Sequence, residues 1–289
     1  MGLVKDAFSQ EYLNKLGAVN LRLQNKMKGG YSGNRRSKAK GSSTEFSDFK
    51  DYTKGDDIRR IDWNSYARLN KLFIKIYEEE KQANINIFID ISKSMDFGEP
   101  NKFIYGKVMA ASLVYIAMNA ADRANIFTVN DSLSLQLKGL SSKSAFAKAL
   151  DYLDSLEAQG ETSFQESFKA LGQMNLGSGL NVILSDFFDR EGYEQAFKTI
   201  RAKAGASYAL QILSKEEINP SYSGGIRFVD NESGAGVDCD MDEAVIKNYL
   251  AELNEYNAAL SSTARKNGLE HIIISTDTPY MEWLWKMRS

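Results

Sequence analysis

A chain of 289 residues that is 43% hydrophobic and 26% charged has enough apolar side chain for one large folded core or one core with an appendage. Its 36 Lys and Arg nearly balance 38 Asp and Glu, so no global field points to nucleic acid or an anionic membrane. A single cysteine, Cys239, excludes an internal disulfide and a cysteine-based zinc cluster. No apolar run approaches the roughly 20 residues of a membrane-spanning helix, and the first residues lack the apolar core of a signal peptide. Cytoplasmic residence is the expectation.

In chain order, Phe8, Tyr12, Leu13, Leu16, Val19, Leu23 and Met27 recur at mixed three and four spacings, which predicts a helix over residues 7–27. Residues 28–43 turn polar, with Gly29, Gly30, Gly33 and Gly41 among Arg35, Arg36, Lys38 and Lys40, and read as a solvated loop. Their spacing fits no Walker pattern. Nucleic-acid binding through residues 22–40 lacks a series of stacking aromatics and is not expected. Residues 45–52 read as extended. Gly55, Asp56 and Asp57 then make a turn, with Asp57 capping a short helix that carries Ile58, Ile61 and Trp63 inward. The alternating signs of Asp56, Asp57, Arg59, Arg60, Asp62 and Arg68 suggest intramolecular pairing.

Residues 72–77 form a strand. A second, 85–90, is short and β-branched, as suits a strand buried on both faces. Helices are expected at 102–121, from Ser141 or Ser142 to 156, at 164–174, 191–204, 242–266 and 279–287. Strands fall at 126–130, 133–137, 181–185, 208–213 and 271–275, with a hairpin over 224–240. From residue 85 onward this alternation predicts an α/β fold, a doubly wound, mostly parallel sheet with helices on both faces. Residues 1–84 read as a small flanking α+β subdomain beside a domain of residues 85–289.

Open α/β sheets bind ligands at the carboxyl ends of their strands. Asp90 ends one strand and is followed by Ser92 and Ser94, Thr162 lies in a Gly-led loop that opens a helix, and Asp186 ends the strand 181–185. Asp90-x-Ser92-x-Ser94 by itself fits a helix cap as well as a Mg²⁺ turn. Together, the five residues make a set of oxygen ligands from three loops, with only two carboxylates, and an outside carboxylate can complete the octahedron of a bound cation. Mg²⁺ is the expected ion, with Mn²⁺ or Ca²⁺ as alternatives. Phe187 and Phe188 follow directly, either as partner-facing aromatics or as packing under the next helix. His271 is the sole histidine, so a Ser-His-Asp triad would have to use it; it reads as a packed or surface side chain. A Mg²⁺-dependent phosphoryl hydrolase is the alternative to a binding role, but serines stand where a nucleophilic aspartate would be wanted.

These residues resemble two known patterns. Asp90, Ser92, Ser94, Thr162 and Asp186 look like the metal-ion-dependent adhesion site of von Willebrand factor A-type domains. Tyr52-x-x-Gly55-Asp56-Asp57-Ile58-Arg59-x-Ile61-Asp62-Trp63, with Ala67-Arg68 after it, resembles the signature of the family called domain of unknown function 58. Weaker echoes run on through Thr276-Asp277-Thr278-Pro279. The resemblance implies a non-enzymatic bacterial adaptor or co-chaperone of a MoxR-type AAA+ ATPase. It also implies a client supplying an acidic side chain, and membrane association only through partners, peripheral to the inner membrane. It further implies that Ser92 and Ser94 ligate directly, Asp90 directly or from behind the direct ligands, Thr162 directly or through water, and Asp186 through water or a serine hydroxyl.

Overall fold

The structure is a computed structural model that describes residues 3–17, 44–79, 82–177, 179–189, 191–203, 205–222, 224–229 and 236–287. The expectations for residues 18–43, including the basic loop, lie outside these. The chain divides into two compact units. The smaller holds the described residues between 44 and 82; the larger holds those from 83 onward together with residues 3–17. The boundary therefore differs from a simple cut at residue 84. The reason is apolar burial: Val4, Tyr12 and Leu16 belong to the core of the larger unit, Val4 N–H donates to Asp154 Oδ1 at 2.9 Å, and Tyr12 and Ser112 hydroxyls meet at 2.8 Å. Of the helix expected over 7–27, the described part is helical from residue 10 to residue 17, and a further short helix precedes it. Helix α1 (Leu3–Asp6) and helix α2 (10–17) are separate because Ser9 Oγ accepts from Tyr12 N–H and starts a new N-terminus there.

In the smaller unit, strand β1 (Thr44–Asp51) pairs antiparallel with β2 (Phe73–Glu79). Between them Asp57 caps a 3₁₀ turn (Ile58–Arg60) and Asp62 caps helix α3 (Trp63–Leu69). The expected pairing of charges is realised with partners outside the alternating run: Asp56 takes Lys50, and Asp62 takes Lys75. Asp56 is held down to about 2, chiefly by the Thr53 hydroxyl and backbone and by Lys50. The expected inward set is corrected. Ile61 alone is buried, through a bridge to Ile74. Ile58 and Trp63 are 63% and 62% exposed, because each cap sets the first residue of its turn outward, and Trp63 packs edge-on against Tyr66 instead.

The larger unit carries a six-stranded sheet in the order β10-β7-β6-β3-β4-β5. Its strands are β3 (Asn84–Asp90), β4 (Arg123–Val129), β5 (Leu133–Leu140), β6 (Gly179–Ser185), β7 (Gly205–Leu213) and β10 (Glu270–Ser275). All neighbours are parallel except the edge pair β4 and β5. This is the doubly wound fold expected from the alternation of strands and helices. Period-two alternation sends Ile85, Ile87 and Ile89 of β3 to one face and Phe88 to the other. On the first face lie α4 (Lys102–Asn119), α5 (Lys143–Ser155), α1, α2 and α10 (Glu282–Lys286). On the second lie α6 (Phe164–Leu171), α7 (Glu194–Arg201) and α9 (Glu243–Lys266). Fourteen of the 18 residues of α4 are buried, so this helix is enclosed on nearly every side. A short α8 (Lys215–Ile218) follows β7, and strands β8 (Gly224–Val229) and β9 (Gly236–Met241) form the expected hairpin. Among the described residues no helix is long and apolar enough to cross a membrane.

One polar row crosses this apolar sheet. Asn125 Nδ2 donates to Asn86 Oδ1 at 2.9 Å, Asn86 Nδ2 to Asn181 Oδ1 at 2.9 Å, and Asn181 Nδ2 to Ser207 Oγ at 3.3 Å. Each pair is also a register pair of adjacent strands. A one-residue slip would send these buried amides to the other face without partners. At the start of β6 and β7 the strands nearly touch: a Cβ on Gly205 (φ +125°) would lie 1.9 Å from the Gly179 carbonyl oxygen. Asn86→Leu keeps the side-chain volume but strands the amides of Asn125 and Asn181. It is expected to cost about 2–4 kcal/mol, read as a lowered urea midpoint; a change of less than about 0.5 kcal/mol would remove the row as a register determinant.

Candidate functional site

The register set by the row determines what meets at the carboxyl edge. Ile89 of β3 lies opposite Leu184 of β6, so the next residues, Asp90 and Ser185, are neighbours. Ser185 Oγ donates to Asp90 Oδ2 at 2.5 Å. Asp90 Oδ1 accepts from Ser92 N–H at 2.9 Å and from Thr162 Oγ1 at 2.8 Å. Ser92 Oγ in turn lies 2.9 Å from Ser94 Oγ. Four of the five expected residues, Asp90, Ser92, Ser94 and Thr162, thus form one hydrogen-bonded cluster of oxygens drawn from two loops.

Backbone bonds hold those loops together. Ser92 precedes a 3₁₀ turn (Lys93–Met95), where Lys93 N–H donates to Gly160 O at 3.1 Å and Gln159 N–H to Ile91 O at 2.6 Å. Gly160 turns with φ +73°, a conformation that favours glycine and brings the chain back to present Thr162. Ser163 then caps α6, and its own N–H donates to Asn130 O at 3.0 Å. Asp189 fastens the other side by accepting from Phe164 N–H at 2.7 Å.

Asp90 is 1% exposed, and among the described residues no lysine or arginine pairs with it. Burial, and secondarily the nearby Asp186 charge, pushes its carboxyl up to about 6, against the opposing effect of the Ser185 and Ser92 hydrogen bonds. A buried carboxylate met only by hydroxyls and one N–H is an acceptor in need of a cation. Among the described residues no three His, Cys, Asp or Glu side chains gather into a metal cluster. A cation here would rest on a hydroxyl-rich set, the hard-oxygen environment that suits Mg²⁺ with several of its waters retained.

Asp186 stands apart from the cluster. Its Oδ2 accepts from Lys102 Nζ at 2.8 Å and its Oδ1 from Phe188 N–H at 3.1 Å. It acts on Asp90 through its charge, and no hydrogen bond joins it to the Ser92, Ser94 or Thr162 hydroxyls. Lys102 is 1% exposed and also donates to Glu217 Oε1 at 2.7 Å. Burial pulls its pKa down, but Asp186 and Glu217 outweigh that and leave it above the ordinary lysine value. Phe187 and Phe188 part company. Phe187, at φ +61°, is fully buried and stacks on Phe164 at 5.3 Å, whereas Phe188 is 37% exposed. His271 lies on the edge strand β10, bonded to Ser261 at 2.7 Å and Gln211 at 3.1 Å; burial lowers it to about 4.

Sequence reasoning missed Ser185, Lys102 and Glu217. Ser185 is signalled by its place opposite Asp90 once the register is known. Lys102, just after the cap Asn101, looks like any solvated first-turn residue, and nothing in its neighbourhood marks it as buried.

The sequence profile described as "Protein of unknown function DUF58" matches residues 48–259. "Uncharacterized protein Rv1480" of Mycobacterium tuberculosis is 21% identical over 274 residues, which is 93% of this chain and 85% of that protein. Among solved structures, the chain is similar to the conserved hypothetical protein BatB of Bacteroides thetaiotaomicron, at 15% identity and a TM-score of 0.46 over 71% of this chain and 95% of that one. It is also similar to a von Willebrand factor type A protein of Catenulispora acidiphila, at 13% identity and a TM-score of 0.44 over 75% of this chain and 43% of that one.

Because a folded-state carboxyl near 6 lies above its unfolded value near 3.9, the native state takes up a proton first as pH falls. Asp90 therefore weakens the metal-free fold at pH 7, and that penalty is relieved as pH drops through 6 toward 4. Asp90→Asn is expected to be more stable than the wild type in chelator at pH 7, by on the order of 2–3 kcal/mol. The gap should shrink to about 1 kcal/mol by about pH 4.5 and close by about pH 3.5 in melts across the range. A gap that is constant with pH would contradict the buried charge.

Proposed function

We propose that this chain, which belongs to the DUF58 family, is a protein-interaction module that grips an acidic side chain of its partner through a divalent cation, Mg²⁺, bound beside Asp90. The observation that carries this reading is the Asp90 carboxylate, buried with no lysine or arginine paired to it among the described residues and clustered with the Ser92, Ser94 and Thr162 oxygens at the carboxyl edge of the sheet. Asp90, Ser92, Ser94 and Thr162 are the residues that would hold the ion, with Asp186 contributing from outside the direct ligands. The ion would supply a Lewis-acidic point of attachment that the hydroxyls, being neutral, leave strongly electropositive. Phe188, exposed next to Asp186, provides apolar surface at the rim.

The partner is an AAA+ ATPase of the MoxR type, as the family resemblance implies, with the chain acting as adaptor or co-chaperone in the cytoplasm or peripheral to the membrane. Binding is favoured over hydrolysis by the state of the candidate catalytic groups. Ser92 and Ser94 hydrogen-bond each other, the sole histidine is engaged by Ser261 and Gln211, and the carboxylate beside the serines, Asp90, already accepts from Ser185, Thr162 and the Ser92 N–H rather than standing free as a base.

Co-purification tests this directly. The full chain, tagged and mixed with the MoxR-type ATPase of the same genome, should retain it in Mg²⁺ and release it in excess chelator. Asp90→Ala should lower retention at least tenfold while leaving the circular dichroism spectrum of the fold unchanged. Equal retention with and without chelator would remove the ion from the interaction.

A further inference from the structure

Lys102 is a buried cation at the first turn of α4, yet no reading of the sequence gave it a role. Its ammonium joins three elements: α4 itself, the turn after β6 through Asp186, and α8 through Glu217. Phe97 and Phe188 stand with ring centroids 5.8 and 5.6 Å from it, so its surroundings are two carboxylates and two aromatic faces. The carboxylates are occupied on both oxygens. Asp186 uses Oδ2 for Lys102 and Oδ1 for Phe188 N–H. Glu217 uses Oε1 for Lys102 and Oε2 for Ser214 N–H at 2.7 Å, inside the Ser214 capping box.

We propose that Lys102 is a resident cation that holds the Asp186 carboxylate away from direct ligation, leaving an ion at the Asp90 cluster with one directly bound carboxylate and an open demand for an anionic ligand from outside. This deepens, and rests on, the reading of the cluster as a divalent-cation site. The physical reasoning is a competition for one carboxylate. To ligate the ion, Asp186 would have to leave a buried ammonium without half of its compensation. An ion that gained only Asp90 would keep more of its positive charge and more exchangeable water, which a carboxylate from a partner could replace. Lys102 is thus a positioning residue that selects an anionic ligand without touching it.

Mn²⁺ serves as the probe ion, because its binding is read by electron paramagnetic resonance and its bound waters by water-proton relaxation. Four full-length proteins form a cycle: wild type, Lys102→Met, Asp186→Asn and the double variant. Lys102→Met is expected to bind Mn²⁺ at least tenfold more tightly, with fewer exchangeable waters, and acetate should displace water from its bound Mn²⁺ less readily than from the wild type. Asp186→Asn should weaken binding two- to threefold in the wild-type background but tenfold or more in the Lys102→Met background. A gain that persists in the double variant would mean that Lys102 acts only as a bulk charge, and that overturns the proposal. Equal affinity and hydration in wild type and Lys102→Met overturn it as well, while leaving the cation site itself intact. No Mn²⁺ binding by any of the four overturns the site reading and this role with it. Where Lys102→Met does not fold, Lys102→Gln, which keeps a hydrogen bond but not the charge, takes its place in the same cycle with the same expected directions.

Discussion

The row of amides from Asn125 through Asn86 and Asn181 to Ser207 is the constraint on which the rest depends. A parallel sheet of Val, Ile and Leu has little in its apolar packing to forbid a shift of one strand along its neighbour, since one β-branched residue replaces another at small cost. Three buried amides and a serine hydroxyl that meet head to tail across four strands do forbid it, because each slip leaves donors and acceptors unsatisfied in a medium without water. The fixed alignment then propagates along β3 and β6 to their carboxyl ends. There it decides that Ser185 stands beside Asp90.

From that alignment the chemistry of the edge follows. Asp90 is taken out of water by the same strand packing that buries Ile87 and Ile89, and hydroxyls rather than cations come to meet it. The two halves of the edge are differently charged in consequence. Around Asp90 lie neutral oxygens, and around Asp186 lies an ammonium shared with Glu217. A carboxylate with no paired lysine or arginine among the described residues and a carboxylate paired with one sit close enough for the second to raise the pKa of the first, and this asymmetry gives the edge a direction.

Much of this was legible in the sequence, for identifiable reasons. Strands of the sheet are short β-branched runs, and helices such as α5 and α9 carry their own caps, Ser142 and Asp242, so periodicity and capping placed them within a few residues. Asp90, Ser92 and Ser94 stood out because three oxygen donors at alternate positions after an apolar run have few local uses. Thr162 required only the rule that strand ends share a crevice. What escaped depends on the third dimension. Trp63 reads inward by its chemistry, but its place as the first residue after the Asp62 cap turns it out. Lys102 reads outward by its chemistry, yet α4 is enclosed and carries its first turn inside with it. In both cases a local propensity was overruled by where the element sits.

The position of Lys102 in α4 has an evolutionary consequence. The amino end of a helix is electropositive and ordinarily attracts acidic groups, so an ammonium lodged there persists only because Asp186 and Glu217 surround it. Exchanging any one of the three alone strands a charge in the interior. The trio is therefore open to change only as a set, and lineages that alter one should carry compensating changes at the other two.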